Sequence, residues 1–146
     1  MIITNQMSSA LNDNRLAEEL DEIECSAILE RHSTGRLAIL EDGELDIFPV
    51  EYALDGKWII FRVPSRLNLD RVNLNQLALE VDEIAEDGEC SVVARGSAFE
   101  ITRGLDGASI RERRLAVALT NENSRLVRIV PQVLKGRHVQ RHQNLN

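Results

Sequence analysis

From Gly35 onward the chain alternates apolar and polar side chains with a period of two, in runs punctuated by Asp-Gly at 42–43, 55–56 and 87–88. Asp and Gly tolerate the positive φ of a tight hairpin, so each dipeptide predicts a reversal between antiparallel strands. The runs are "GRLAILE", "ELDIFPVEYAL", "KWIIFRV", "LALEVDEIA" and "ECSVVARGSAFEIT", with a sixth in "RLVRIV". Spacing this regular predicts a mainly β domain, a six-stranded antiparallel, Greek-key-like barrel that is closed or nearly so, because closure removes exposed edges.

The period lengthens to that of a helix in few places. Asp21 with Glu24 three residues on makes a capping-box-like start, and Cys25, Ile28, Leu29 and His32 fall on one stripe. A helix over about 22–31 follows, which Gly35 ends. A short helical turn is expected near Asn68 to Val72, and Ser109 with Glu112 opens a helix over about 108–119. Residues 1–14 and 140–146 show no periodic face and read as loose ends, leaving one domain over 15–139.

Alternation also assigns faces. Phe48, Val50, Tyr52 and Leu54 share one side of their strand, and Ile47, Pro49, Glu51 and Ala53 the other. Pro49 cannot donate a ladder hydrogen bond, so its strand is expected at an edge or broken there, with main chain open to a planar ligand. In the next strand Ile59, Phe61 and Val63 face away from Trp58, Ile60 and Arg62. Pro64 stops that strand, and Ser65-Arg66 starts a turn whose free N–H groups, between two guanidinium groups, suit a phosphate. Residue chemistry leaves a second reading open, in which Ser65 caps the turn and Arg62 and Arg66 pair with surplus carboxylates such as Asp70.

Charge narrows the partners. With 24 acidic against 17 basic side chains and a net charge of −7, no general nucleic-acid binding is expected, and any anion must bind locally. Cys25 and Cys90 have no His or Cys at ligand spacing, so neither zinc nor a disulfide framework is expected, and a cytoplasmic location is the simplest reading. No run approaches the ~20 apolar residues of a membrane span. Cys90 reads as packing, His32 as a partly buried helix histidine, and the basic positions 137–142 as solvated.

The order of these pieces, with Gly35-Arg36-Leu37, Phe48-Pro49-Val50, Tyr52, Phe61-Arg62, Glu80-Val81-Asp82, Ser91-Val92-Val93, Gly96 and Gly136-Arg137, resembles the pyridoxamine 5′-phosphate oxidase-like proteins of the FMN-binding split-barrel group over about 21–139. The resemblance implies a homodimer with FMN in the cleft between subunits, in a flavoprotein of oxidoreductase type. It implies main chain around Val50, Glu51 and Tyr52 along the isoalloxazine, and Arg62, Ser65 and Arg66 at the phosphate. It supplies no substrate and no catalytic residue. A second reading is a split-barrel dimer without cofactor, acting as an interaction module, because the turn at Pro64-Ser65 lacks the family's usual glycine and Glu51 places a carboxylate beside the ring. A deazaflavin or haem in the same cleft is a third.

Overall fold

The structure, a computed structural model, describes residues 17–64, 66–101 and 124–141. Its strands are β1 (Ala17–Leu20), β2 (Thr34–Glu41), β3 (Glu44–Asp55), β4 (Trp58–Pro64), β5 (Leu77–Ala85), β6 (Gly88–Ile101) and β7 (Ser124–Gln140). Among the described residues there is one helix, α1 (Glu22–Arg31), and one 3₁₀ turn at Leu69–Arg71, where a short helical turn was expected. The helix expected over 108–119 lies outside the described residues.

Neighbours in the sheet run β1-β7-β4-β3-β2-β5-β6, and β6 pairs back onto β7, so β2 to β7 close a ring. β5 returns beside β2, the first strand of the β2–β3–β4 meander, and this is the expected Greek-key step. Inward positions recur at period two: Leu37 and Ile39, Val50 and Tyr52, Ile59, Phe61 and Val63, Leu79 and Val81, Val92 and Ala94, Val127 and Ile129 are all buried in one core. α1 adds Cys25, Ile28 and Leu29 to that core and touches β3, β5, β6 and β7, so it stoppers one end of the barrel. Its start carries the expected capping box, with the Glu24 amide donating to Asp21 Oδ1 at 2.8 Å.

The glycines are used differently from expectation. Among the described residues, only the first Asp-Gly is a turn with both residues at positive φ, Asp42 at 51° and Gly43 at 81°. The second hairpin turns on Gly56 and Lys57, with Gly56 at φ 61°. The third turns on Glu86 and Asp87, because Ala85 and Gly88 are already cross-strand partners. Gly88 serves close approach instead: a Cβ there would lie 2.0 Å from the Val139 carbonyl oxygen. Gly35 likewise does not end α1, which stops at His32, but sits in β2 against the Glu80 carbonyl, 2.7 Å from where a Cβ would be.

The sixth expected strand, "RLVRIV", is less than half of β7. Pro131 interrupts the alternation in sequence yet is accommodated in the sheet, because it sits at a register shift, opposite Gly96, where the ladder is already irregular. Beyond that shift β7 exchanges one neighbour for another. Its first part pairs with β4, its last part with the short β1, and β6 stays beside it throughout. The strand therefore reaches Gln140, into the segment expected to be loose, and Arg141 N–H donates to Asp87 O at 2.6 Å.

Candidate functional site

β3 is the strand on which the candidate site is built. It pairs with β2 over Glu44–Glu51, but β4 joins its other side only from Glu51. Because Tyr52 N–H donates to Ser33 O (2.8 Å), even-numbered β3 residues aim their main-chain groups at β2 and odd-numbered ones away from it. Pro49 is odd, so its missing N–H falls on the side with no strand among the described residues. The expectation of an edge at Pro49 thus holds for one flank of an otherwise interior strand. Ile47 N–H, on that flank, is satisfied locally by Asp46 Oδ1 at 2.9 Å.

Of the three β3 residues expected at the site, Val50 and Tyr52 point their side chains into the core, at 5% and 2% exposure, while Glu51 faces outward. The Tyr52 hydroxyl donates to Leu29 O at 2.6 Å, and burial pushes its phenol up to about 12. Only main chain and the Glu51 carboxylate are therefore presented outside. Leu45 and Ile47, on the same outer side, are 80% and 64% exposed. Leu45 borders a cavity of about 320 Å³ with Ala38, Leu40, Ala78 and Gln132.

At the end of β4, Arg62 is cross-strand partner of Glu51 and forms an ion pair with it. This is the surplus-carboxylate reading realised, with Glu51 rather than Asp70 as the acid. Arg66 follows the strand and is exposed, with no acidic partner among the described residues. Ser65 lies outside the described residues. The loop after Arg66 is tied across the β2–β3 turn: Asp42 N–H donates to Arg71 O (2.9 Å), Asn73 N–H donates to Leu40 O (2.8 Å), and Arg71 approaches Asp42 at 3.6 Å.

The remaining polar chemistry is structural. Arg31 donates twice to Glu83, at 3.0 and 2.8 Å, and His32 Nε2 lies 2.7 Å from the same carboxylate, fastening the end of α1 to β5. The Arg31 hydrogen bonds, helped by His32, hold the Glu83 carboxyl down at about 2. Burial, with the nearby carboxylates, pushes both Cys25 and Cys90 up, so neither is a ready thiolate. Glu80 is also pushed up, first by burial and then by its Asp82 neighbour, though Arg36 and Ser91 hold it. Among the described residues no group of three His, Cys, Asp or Glu could hold a metal, and no helix is long and apolar enough to cross a membrane.

Residues 21–138 match the family described as pyridoxamine 5′-phosphate oxidase. Among solved structures, a proposed pyridoxamine 5′-phosphate oxidase from Corynebacterium glutamicum is 27% identical, with a TM-score of 0.70 over 86% of this chain and 99% of that one. An FAD-binding protein from Mesorhizobium loti is 23% identical, with a TM-score of 0.70 over 84% of this chain and 98% of that one. The heme storage protein from Vibrio cholerae shares the fold at 15% identity, with a TM-score of 0.59 over 77% of this chain and 92% of that one. No curated protein matches the chain.

Proposed function

The chain belongs to the pyridoxamine 5′-phosphate oxidase family and has its split-barrel fold, and on that premise we propose that it binds FMN between two copies of itself as a cytoplasmic flavoprotein of oxidoreductase type. The observation that carries the reading is the one-sided stretch of β3 ending at Glu51, with Arg62 of β4 directly opposite Glu51. A planar ring needs main-chain groups and a flat wall, and the open flank of β3 offers them. The phosphate, close to doubly charged at neutral pH, needs guanidinium groups and amides, and Arg62, Arg66 and the Ser65 turn are the groups within the sequence's reach. Bound flavin would supply hydride or electron transfer; the protein's part is to hold the ring, fix the phosphate and exclude water.

The outer apolar positions Leu45 and Ile47 support the second copy, since a strand flank this apolar is an edge that closure of the barrel does not protect. Flavin titration of the purified protein tests the reading. FMN fluorescence should be quenched on binding, Arg66→Ala and Arg62→Ala should weaken binding, and Ile47→Glu should lower the dimer mass. Absence of FMN binding by the dimeric protein would end it. The Glu51–Arg62 ion pair favours one alternative, a split-barrel interaction module without cofactor, because the arginine already has an anion. Titrations with FAD, a deazaflavin and haem separate the remaining ligands; the FAD and heme neighbours give reason to include two of them.

A further inference from the structure

Arg36 on β2, Glu80 and Asp82 on β5 and Ser91 on β6 meet on the outer face of the barrel. Register brings them together, since Arg36 is the cross-strand partner of Glu80 and Asp82 that of Ser91. Leu37, Leu79, Val81 and Val92 alternate with them and fill the core, which leaves the four polar side chains outside. One guanidinium nitrogen serves two carboxylates: Arg36 Nη1 lies 3.5 Å from Glu80 Oε1 and 3.2 Å from Asp82 Oδ2. With both acids ionised the group carries a surplus negative charge. Glu80 is the acid that gives way. Burial raises its carboxyl above the ordinary 4.5, and the Asp82 carboxylate beside it adds to the rise.

Ser91 joins this group to a cavity of about 530 Å³, which it borders with Val93, Arg95, Lys135, Arg137 and Glu19. It supplies the one hydroxyl among the described residues around that cavity. A hydroxyl has a single proton to donate, and Ser91 Oγ donates it to Glu80 Oε2 at 3.0 Å. While Glu80 is ionised, the cavity therefore meets a serine oxygen with lone pairs only. Once Glu80 holds a proton on Oε2 the bond reverses. The carboxyl then donates to Ser91 Oγ, and the hydroxyl proton is free to point into the cavity. Arg36 favours this placement of the acid's proton, because the guanidinium sits at Oε1 and needs an acceptor there.

We propose that protonation of Glu80 switches the Ser91 hydroxyl from an inward donor to a donor for the ligand of this cavity, so that a hydrogen-bond-accepting ligand binds together with a proton. The inference rests on the flavin reading, in which a cleft between two copies needs a second wall besides β3, and this basic cavity serves as that wall. An isoalloxazine ring carries carbonyl oxygens and ring nitrogens that accept hydrogen bonds, and these suit such a donor. Few charges face the pair. Ser91 and Arg36 favour the ionised acid and Asp82 opposes it, while across the strand from Ser91 lies Arg137, itself opposite Glu19. The donor is available at low pH and is withdrawn as pH rises through the Glu80 titration.

Calorimetric titration of the full chain with FMN and with riboflavin, over about pH 4–8, tests the switch. Riboflavin has no phosphate to titrate, so its pH dependence belongs to the protein. In the parent, affinity for both should fall about two- to tenfold as pH rises, the worth of one hydrogen bond. Binding near the midpoint should take up a proton, counted from the heats in two buffers. Glu80→Gln should keep the low-pH affinity at every pH, since Arg36 claims the amide oxygen and leaves the amide NH₂ to donate to Ser91. Ser91→Ala should bind weakly at every pH, Ser91→Thr should behave as the parent does, and Asp82→Asn should move the midpoint to lower pH. FMN binding with the same pH dependence in the parent, Glu80→Gln and Ser91→Ala overturns the switch and leaves the flavin reading intact. So does weaker binding by Glu80→Gln than by the parent at low pH, which would make Ser91 most effective as an inward donor. No FMN binding by the dimeric parent at any pH ends the flavin reading, and the switch with it. Unchanged far-UV dichroism keeps each variant interpretable.

Discussion

Glu51→Gln sets two consequences of one ion pair against each other. In the folded protein Arg62 and Glu51 face each other across β3 and β4, their side chains 24% and 52% exposed. A pair this open to solvent contributes about 0.2–1 kcal/mol. The substitution should therefore lower the melting temperature by at most about 4 °C, given ~2–4 °C per kcal/mol for a domain near this size. Flavin binding should move the other way. A phosphate reaching Arg62 must share it with the carboxylate, and at about 7 Å in water-like dielectric a carboxylate repels a nearly doubly charged phosphate by about 1 kcal/mol. Removing the charge while keeping the shape should tighten FMN binding about five- to tenfold.

Fluorescence quenching measures this, with riboflavin as the control. Riboflavin has no phosphate, so an effect acting through Arg62 should leave its affinity nearly unchanged. Equal FMN affinity in Glu51→Gln and the parent would show that Arg62 does not meet the phosphate. Weaker FMN binding would show that the carboxylate orients Arg62 for it. Either result refutes the competition between Glu51 and phosphate.

The barrel itself yields further tests. Tyr52→Phe removes the donor to Leu29 O inside the core and should cost about 1–2 kcal/mol, read as a lower urea midpoint with an unchanged slope. Glu83 is held at about 2, below its ordinary 4.5, so its contribution is complete above pH 4.5 and fades as pH falls toward 2. With Arg31 54% exposed, solvent screening limits that contribution to about 1 kcal/mol, and Glu83→Gln should flatten the acid limb of a melting-temperature profile by that amount. Gly88→Ala drives a Cβ into the Val139 carbonyl and should destabilise by about 2–3 kcal/mol, whereas Gly43→Ala, with open space around it, suffers only the strain of its positive φ. Comparing the two by chemical denaturation separates close approach from turn conformation.

The period-two pattern carried most of the barrel because each strand buries one face, and a single core then fixes which face that is. Leu77–Ala85 and Glu22–Arg31 were bounded correctly from sequence, the first by turns and the second by its capping box. Glycine was misread where its role depends on a partner strand. Nothing local distinguishes Gly88, pressed against Val139, from a turn glycine, because the contact comes from β7, about fifty residues later in the chain. The length of β7 was hidden for a related reason. Pro131 reads as a strand end until Gly96 opposite shows that the ladder is already shifted there. That truncation also hid Lys135 and Arg137, whose shared face with Arg95 exists only in the β6–β7 register. Read alone, Arg137 belonged to the basic stretch 137–142 expected to be solvated.

Register also decides what kind of contact the candidate flavin site can make. Val50, Glu51 and Tyr52 are consecutive, so their side chains alternate in, out, in, and the two inward ones are already committed to packing and to the Leu29 hydrogen bond. A ligand on the outer side of β3 therefore meets main chain and the odd-numbered side chains: Ile47, Pro49 and Glu51. Substitutions at even positions should act through stability, since they alter a close-packed core. Substitutions at odd positions should act on affinity with little change in stability. The opposite distribution, with Val50 changes altering flavin affinity at constant melting temperature, would place the ligand inside the barrel rather than on its flank.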